Sequence, residues 1–175
     1  MDVGNREWIE AEAKKRFPFT KETRVLEIGS WTAPGQDAIV CRRTIAPLVK
    51  EYVGLDMRAG PDVDVVANAK DMPFPDNDFD VIISTDCYEH IDWPREVTHE
   101  AFRVCKPGGL FYLTTVFDFE IHDYPSDFWR FTPEAIRLLI EDAGFEVLMY
   151  EGVGFPPNKK PCVVRGIGRK PHAKI

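Results

Sequence analysis

Two runs constrain this chain more than any other feature: Arg24-Val25-Leu26-Glu27-Ile28-Gly29-Ser30 and Tyr52-Val53-Gly54-Leu55-Asp56. The first is an apolar stretch closing on an acid and a glycine. The second closes on an aspartate about one strand-helix-strand unit later. In a doubly wound sheet such runs are parallel strands whose carboxyl ends hold an adenosine-containing ligand, with the glycine turn and the second acid as its contacts.

The rest of the chain is consistent with such a sheet. Short β-rich runs at Val25 to Ile28, Glu51 to Leu55, Val63 to Val66, Val81 to Ser84 and Leu110 to Thr115 alternate with helical patterns, as in an α/β fold with both sheet faces covered. An N-terminal helix is expected from Glu7 to Arg16. Val97, Ala101, Val104 and Cys105 give a later helix one apolar face, with Asp92 as its expected N-cap and Lys106-Pro107-Gly108-Gly109 as its stop. Thr132, Pro133, the stripe Ile136, Leu139, Ile140 and Ala143, and Gly144 mark cap, first turn, buried face and end of another helix. Phe145 to Glu151 and Cys162 to Ile167 then follow with no helix between them. A parallel pair needs a crossover of about a dozen residues or more, so these two runs are expected to be antiparallel neighbours.

Composition narrows the class. A chain of 175 residues, 44% hydrophobic, can bury one ordinary core, so one domain over 1–175 is expected. A net charge of -7 argues against nonspecific nucleic acid binding, which needs a positive surface. No apolar run approaches the ~20 residues of a membrane helix, and Met1 to Asn5 has none of the parts of a signal peptide, so a cytoplasmic protein without membrane attachment is expected. Cys41, Cys87, Cys105 and Cys162 lie far apart, which suggests reduced, mostly buried thiols rather than a disulfide framework or zinc site. The basic residues of the tail, Asn158-Lys159-Lys160 and Arg165 to Lys174, are expected on a solvated edge.

Val25-Leu26-Glu27-Ile28-Gly29-Ser30, Met72-Pro73-Phe74-Pro75-Asp76-Asn77-Asp78-Phe79-Asp80, Tyr88-Glu89-His90-Ile91 and Arg103-Val104-Cys105-Lys106-Pro107-Gly108-Gly109 stand in an order and spacing that resembles the class I S-adenosylmethionine-dependent methyltransferases of the small type 11 group. The resemblance runs from about Arg24 to the end. It implies a Rossmann-like seven-stranded sheet of order 3-2-1-4-5-7-6 with strand 7 antiparallel, in agreement with the terminal hairpin inferred above. It divides the chain into an N-terminal helical segment (1–23), a cofactor-binding half (24–117) and an acceptor side (118–175).

The ligand's sulfonium, ammonium, ribose diol and adenine call for acids, a glycine turn and an apolar slot. By resemblance, Glu27 faces the methionine end, Gly29 and Ser30 form the turn, and Asp56 takes the ribose hydroxyls with Met57 against the adenine. Asn68-Ala69 stands where relatives carry an Asp-Ala pair that reads the adenine; an amide oxygen can still accept from the exocyclic amine, and Asp71 is the alternative acceptor. Trp31 and Ala33 occupy places where relatives often have glycine. Trp31 either turns outward or forms an aromatic wall, where a sulfonium over its ring would gain ~0.5–2 kcal/mol.

Asp86, Tyr88, Glu89 and His90 follow the fourth strand at the ligand-binding edge, with Asp86 expected at the cofactor. His90, with an ordinary pKa of about 6.5, is a general-base candidate or a loop-ordering residue. The segment from His122 to Thr132 resembles an H-x-Y-P-x-D-x-W-R-F-T-P stretch of some small family members. It is an acceptor lid with His122 and Tyr124 near the methyl and Arg130 on an anionic group, or an aromatic plug of Trp129 and Phe131 with Arg130 paired internally. A methyltransferase acting through S-adenosylmethionine on a small-molecule or sugar-type acceptor is therefore expected, without a metal site. The competing readings are a catalytically silent member that binds cofactor or a protein partner and, more remotely, a nicotinamide oxidoreductase, disfavoured because no G-x-G-x-x-G is present. Oligomeric state is open.

Overall fold

The computed structural model describes residues 3–17, 19–33, 41–122, 125–154 and 162–172. Seven strands, β1 (Arg24–Ile28), β2 (Glu51–Asp56), β3 (Val65–Val66), β4 (Phe79–Thr85), β5 (Cys105–Val116), β6 (Glu146–Val153) and β7 (Val163–Arg169), form one sheet in the order β3-β2-β1-β4-β5-β7-β6. The first five run parallel, and β7 is antiparallel to both β5 and β6. The expected order and the reversed strand are therefore both present.

Successive strand residues point to opposite faces, and here both faces are covered. Leu26, Ile28, Ile82, Phe111 and Leu113 face one core with Val97, Ala101 and Val104 of α3 (Pro94–Val104) and Ile136 and Ile140 of α4 (Pro133–Asp142). Val25, Val81, Ile83, Leu110 and Tyr112 face the other, with Ile9 and Ala13 of α1 (Val3–Arg16) and Ile45 of α2 (Arg42–Ile45). Helix α4 starts as its sequence implies. Thr132 accepts from the Ala135 N–H at 3.2 Å, Pro133 follows, and Gly144 beyond the helix takes φ +102°.

Three expectations fail. Cys105 is not on the apolar face of α3, which ends at Val104; it is the first residue of β5. Asp92 does not cap α3; the N-cap is Trp93, and Asp92 instead accepts from the Trp93 N–H at 2.9 Å and pairs with Lys70 at 2.9 Å. Pro94 at the first helical position has no N–H to cap, which removes part of the need for an aspartate there. Arg165 to Arg169 are not a solvated edge either, because β7 lies inside the sheet. Arg165 is buried, donates to Asn5 Oδ1 at 3.0 Å and lies over the Trp8 ring, while Lys170 donates to the Phe102 carbonyl at 2.7 Å. Asn158, Lys159, Lys160 and Lys174 lie outside the described residues. Cys41, Cys87, Cys105 and Cys162 are free thiols, two fully and two partly buried. Among the described residues no helix is long and apolar enough to cross a membrane.

Candidate active site

A pocket of about 650 Å³ opens at the carboxyl ends of the parallel strands and has two chemically distinct walls. The first is built on β1, β2 and the turns after them. Gly29 takes φ +78°, and both its N–H and that of Ser30 donate to the Leu55 carbonyl, at 2.9 and 3.2 Å. A Cβ at position 29 would stand 2.3 Å from Cys87 Sγ, so only glycine fits between the turn and the loop after β4. Burial pushes the Cys87 thiol well above its ordinary pKa, leaving it an uncharged filler.

Asp56 is buried at the end of β2. Its Oδ2 accepts from the Trp31 N–H at 3.3 Å, and its Oδ1 accepts from the Arg58 N–H at 2.9 Å and Arg58 Nε at 3.3 Å. Trp31 neither fills the pocket nor leaves it. It lines the wall with its indole edge against Gly60, and the cation over its ring is the Arg58 guanidinium, 4.1 Å from the ring. Met57, 68% exposed, forms the pocket mouth with Ala67, Asn68 and Ala69. The Asn68 amide oxygen accepts from the Lys70 N–H at 3.0 Å.

Three expected cofactor residues stand off this wall. Asp71 is exposed and outside the pocket lining, since its N–H closes a turn onto the Asn68 carbonyl and leaves its side chain outward. Ser30 is buried beside Gly54, its hydroxyl without a hydrogen-bond partner among the described residues. Glu27 is buried on the sheet face that carries Tyr52, with one carboxylate oxygen unpartnered among the described residues. Burial raises its pKa to about 7 against the opposing pull of Tyr52 and Arg42.

The second wall comes from the loop after β4 and the segment after β5. Asp86 takes φ +46° and is held by Asn5 Nδ2 at 3.0 Å and by the Thr114 hydroxyl at 3.2 Å. Glu89 is wholly buried. Its Oε2 accepts from the Thr115 hydroxyl at 2.6 Å, its Oε1 has no partner among the described residues, and burial followed by the charge of Asp86 raises its pKa to about 7. The His90 and His122 rings meet edge to face with centroids 4.8 Å apart. His90 Nδ1 lies 2.7 Å from the Ser126 carbonyl, and burial lowers its pKa. A carbonyl can only accept, so His90 carries its proton on Nδ1.

Arg130 does not face the pocket as an anion receptor. It grips Asp127 through both nitrogens, at 2.5 and 2.7 Å, and donates to the Phe119 and Glu120 carbonyls. This clip holds the Asp127 carboxyl far below its ordinary pKa and anchors His122, whose N–H donates to Asp127 Oδ2 at 2.9 Å. Phe131 is a core residue, but Trp129 is 44% exposed, its indole N–H donating to the Ile91 carbonyl at 2.9 Å. Tyr124 lies outside the described residues. Sequence reasoning placed Glu89 in the loop without a role and did not single out Arg58. Adjacency to His90 and Asp56 respectively was the available signal.

The sequence model of the methyltransferase-domain family matches residues 36–113. The chain is 32% identical over 124 residues to the ubiquinone/menaquinone biosynthesis C-methyltransferase UbiE of Vibrio campbellii, covering 59% of this chain and 48% of the relative. It is 36% identical over 95 residues to a probable S-adenosylmethionine-dependent methyltransferase of Mycolicibacterium smegmatis, covering 52% and 37%. The chain thus spans about half or less of the length of the curated relatives it matches. Its fold matches the crystal structure of the YcgJ protein from Bacillus subtilis at a TM-score of 0.73 and 16% identity, covering 98% of this chain and 100% of the other. The sheet order, the pocket at the strand ends and these matches define a class I methyltransferase fold. In sequence the chain is similar to S-adenosylmethionine-dependent methyltransferases, over residues 36–113 for the family model and over about half or less of the curated relatives' length.

The first wall suits S-adenosylmethionine: it offers a buried acid at the end of β2, with small residues and a thioether at the mouth.

Proposed function

We propose that the chain transfers a methyl group from S-adenosylmethionine to a small-molecule or sugar-type acceptor. The observation that carries this reading is the shared pocket: Asp56 and Asn68 line one wall of it, and Glu89, His90 and His122 line the other. Bound S-adenosylmethionine supplies an electrophilic methyl on a sulfonium. The chain's part is mainly positional, because in-line displacement gains most from alignment of nucleophile, methyl carbon and sulfur. In this reading residues 24–117 hold the cofactor and residues 118–175 the acceptor. Asp56 binds the ribose diol once Arg58 moves aside, and Asn68 meets the adenine. His90 and His122 present imidazoles to the acceptor, with neutral His90 able to accept a proton. The Vibrio relative's name makes carbon acceptors part of the panel worth screening.

A second reading, a silent member that binds a partner, is favoured by the Arg58 side chain, which occupies both Asp56 and the Trp31 ring. The test is calorimetric titration of the ligand-stripped protein with S-adenosylmethionine and S-adenosylhomocysteine, followed by methyl transfer to oxygen, nitrogen and carbon acceptors. Micromolar binding abolished by Asp56→Ala, together with turnover, supports the enzyme. Binding without turnover on any acceptor class supports the silent reading, and no binding at all overturns both cofactor assignments.

A further inference from the structure

We propose that Glu89, His90 and His122 form a binding site for a divalent transition-metal ion, placed to hold an oxygen-bearing methyl acceptor. One donor atom from each residue lies within 4.8 Å of the other two. Bonds of 2.0–2.2 Å in a tetrahedral site set donors about 3.4 Å apart, so closure requires a shift of up to about 1.4 Å. His122 can supply it, since it sits in the irregular segment after β5 rather than on a strand or helix.

The surroundings are those of a prepared ligand set. Metal-bound imidazoles hold one nitrogen against a carbonyl or carboxylate, which orients the ring and directs the other nitrogen to the ion. Here His90 Nδ1 contacts the Ser126 carbonyl at 2.7 Å, and His122 Nδ1 contacts the Glu120 carbonyl at 3.1 Å and Asp127 Oδ2 at 3.2 Å. Asp127 is itself fixed by Arg130. Glu89 is oriented by the Thr115 hydroxyl on Oε2, while its buried Oε1 has no partner among the described residues. A wholly buried carboxylate oxygen without a donor is costly, and a cation would satisfy it. Two imidazoles and a carboxylate suit zinc, manganese, iron or cobalt, and three protein donors leave coordination positions open toward the pocket.

The acceptor class follows, and this part rests on the methyl-transfer reading above: a molecule presenting two adjacent oxygens, such as a vicinal diol or a hydroxy-carbonyl. The held hydroxyl gives its proton to water and its oxygen forms the bond to the methyl carbon. The carbon–sulfur bond breaks with its electron pair passing to sulfur. The products are the methyl ether, S-adenosylhomocysteine and a released proton. The imidazoles then act as ligands rather than as the base.

The test uses the full chain treated with chelator, titrated calorimetrically with zinc chloride and, separately, with cobalt(II) followed by visible absorption. S-adenosylhomocysteine binding is measured on the same samples. One equivalent of metal is expected, with intense visible cobalt bands indicating a four- or five-coordinate protein site, and His122→Ala is expected to weaken binding by about 10–100-fold and to diminish those bands. His122 is only partly buried and lies on no strand or helix, so this variant should fold, and a thermal melt checks it; Glu89→Gln is the supporting variant. No saturable metal binding, or binding unaltered in His122→Ala, overturns the site whether or not S-adenosylhomocysteine binds. Metal binding without S-adenosylhomocysteine binding keeps the site and overturns the methyl-transfer reading. Turnover unchanged by chelator overturns the acceptor role.

Discussion

The Trp31 N–H donates to Asp56 Oδ2 across 3.3 Å, tying the turn after β1 to the acid at the end of β2. This bond makes the residue at the glycine-like position a support for the Asp56 carboxylate, through its backbone rather than its ring. Asp56→Ala is expected to weaken S-adenosylhomocysteine binding about 10–100-fold, since hydrogen bonds to charged groups contribute about 1.5–3 kcal/mol. Calorimetry measures it, and an unchanged affinity would remove Asp56 from the cofactor site.

Gly29→Ala is expected to destabilise the fold by about 2–4 kcal/mol, combining the cost of a side chain at φ +78° with overpacking against Cys87 Sγ. Urea denaturation checks this. The double change Gly29→Ala with Cys87→Ala should recover the packing part and leave the backbone part.

Glu27 predicts a pH dependence of stability. Its folded-state pKa is raised to about 7 by burial, so the folded chain favours the protonated form. Its contribution is fully present below the unfolded value near 4.5 and is lost as pH rises through 7. Glu27→Gln should therefore match the parent at acid pH and exceed it at pH 8, by on the order of 3 kcal/mol at most. Denaturation curves at several pH values decide this, and parallel curves would reject it.

Arg130→Ala should loosen the segment from Phe119 to Asp127, because Arg130 bonds two carbonyls and the carboxylate there. Hydrogen exchange of the His122 amide should accelerate, since its acceptor Asp127 loses its anchor. Cofactor affinity, which the proposed reading assigns to the other wall, should change less than about threefold.

Much of the architecture was legible as pattern. Thr132-Pro133 and Gly144 carry local signals that act within a few residues, and the runs at β1, β2, β4 and β5 show the apolar continuity of strands covered on both faces. The hairpin of β6 and β7 followed from the lack of any crossover between them. The place of β7 inside the sheet followed only from the family resemblance. Without it, the chain hides why Gly166 and Gly168 are glycines: a Cβ at 166 would lie 2.5 Å from Ile136, and one at 168 would lie 2.7 Å from Ile140, both on α4. Asp92 and Asp71 misled for the complementary reason, since a short acid near a turn satisfies several local geometries and long-range partners choose among them.

Periodicity and capping chemistry thus set the elements and the strand-end positions of Gly29 and Asp56, because those signals act between near neighbours. The company each side chain keeps came from the folded state. Arg58 covers Trp31, Glu27 turns to the Tyr52 face, and Glu89, His90 and His122 converge only once β4 and β5 pair and Arg130 pins the segment beyond β5. Contacts between residues some thirty positions apart depend on packing angles and loop paths, and no local spacing encodes those.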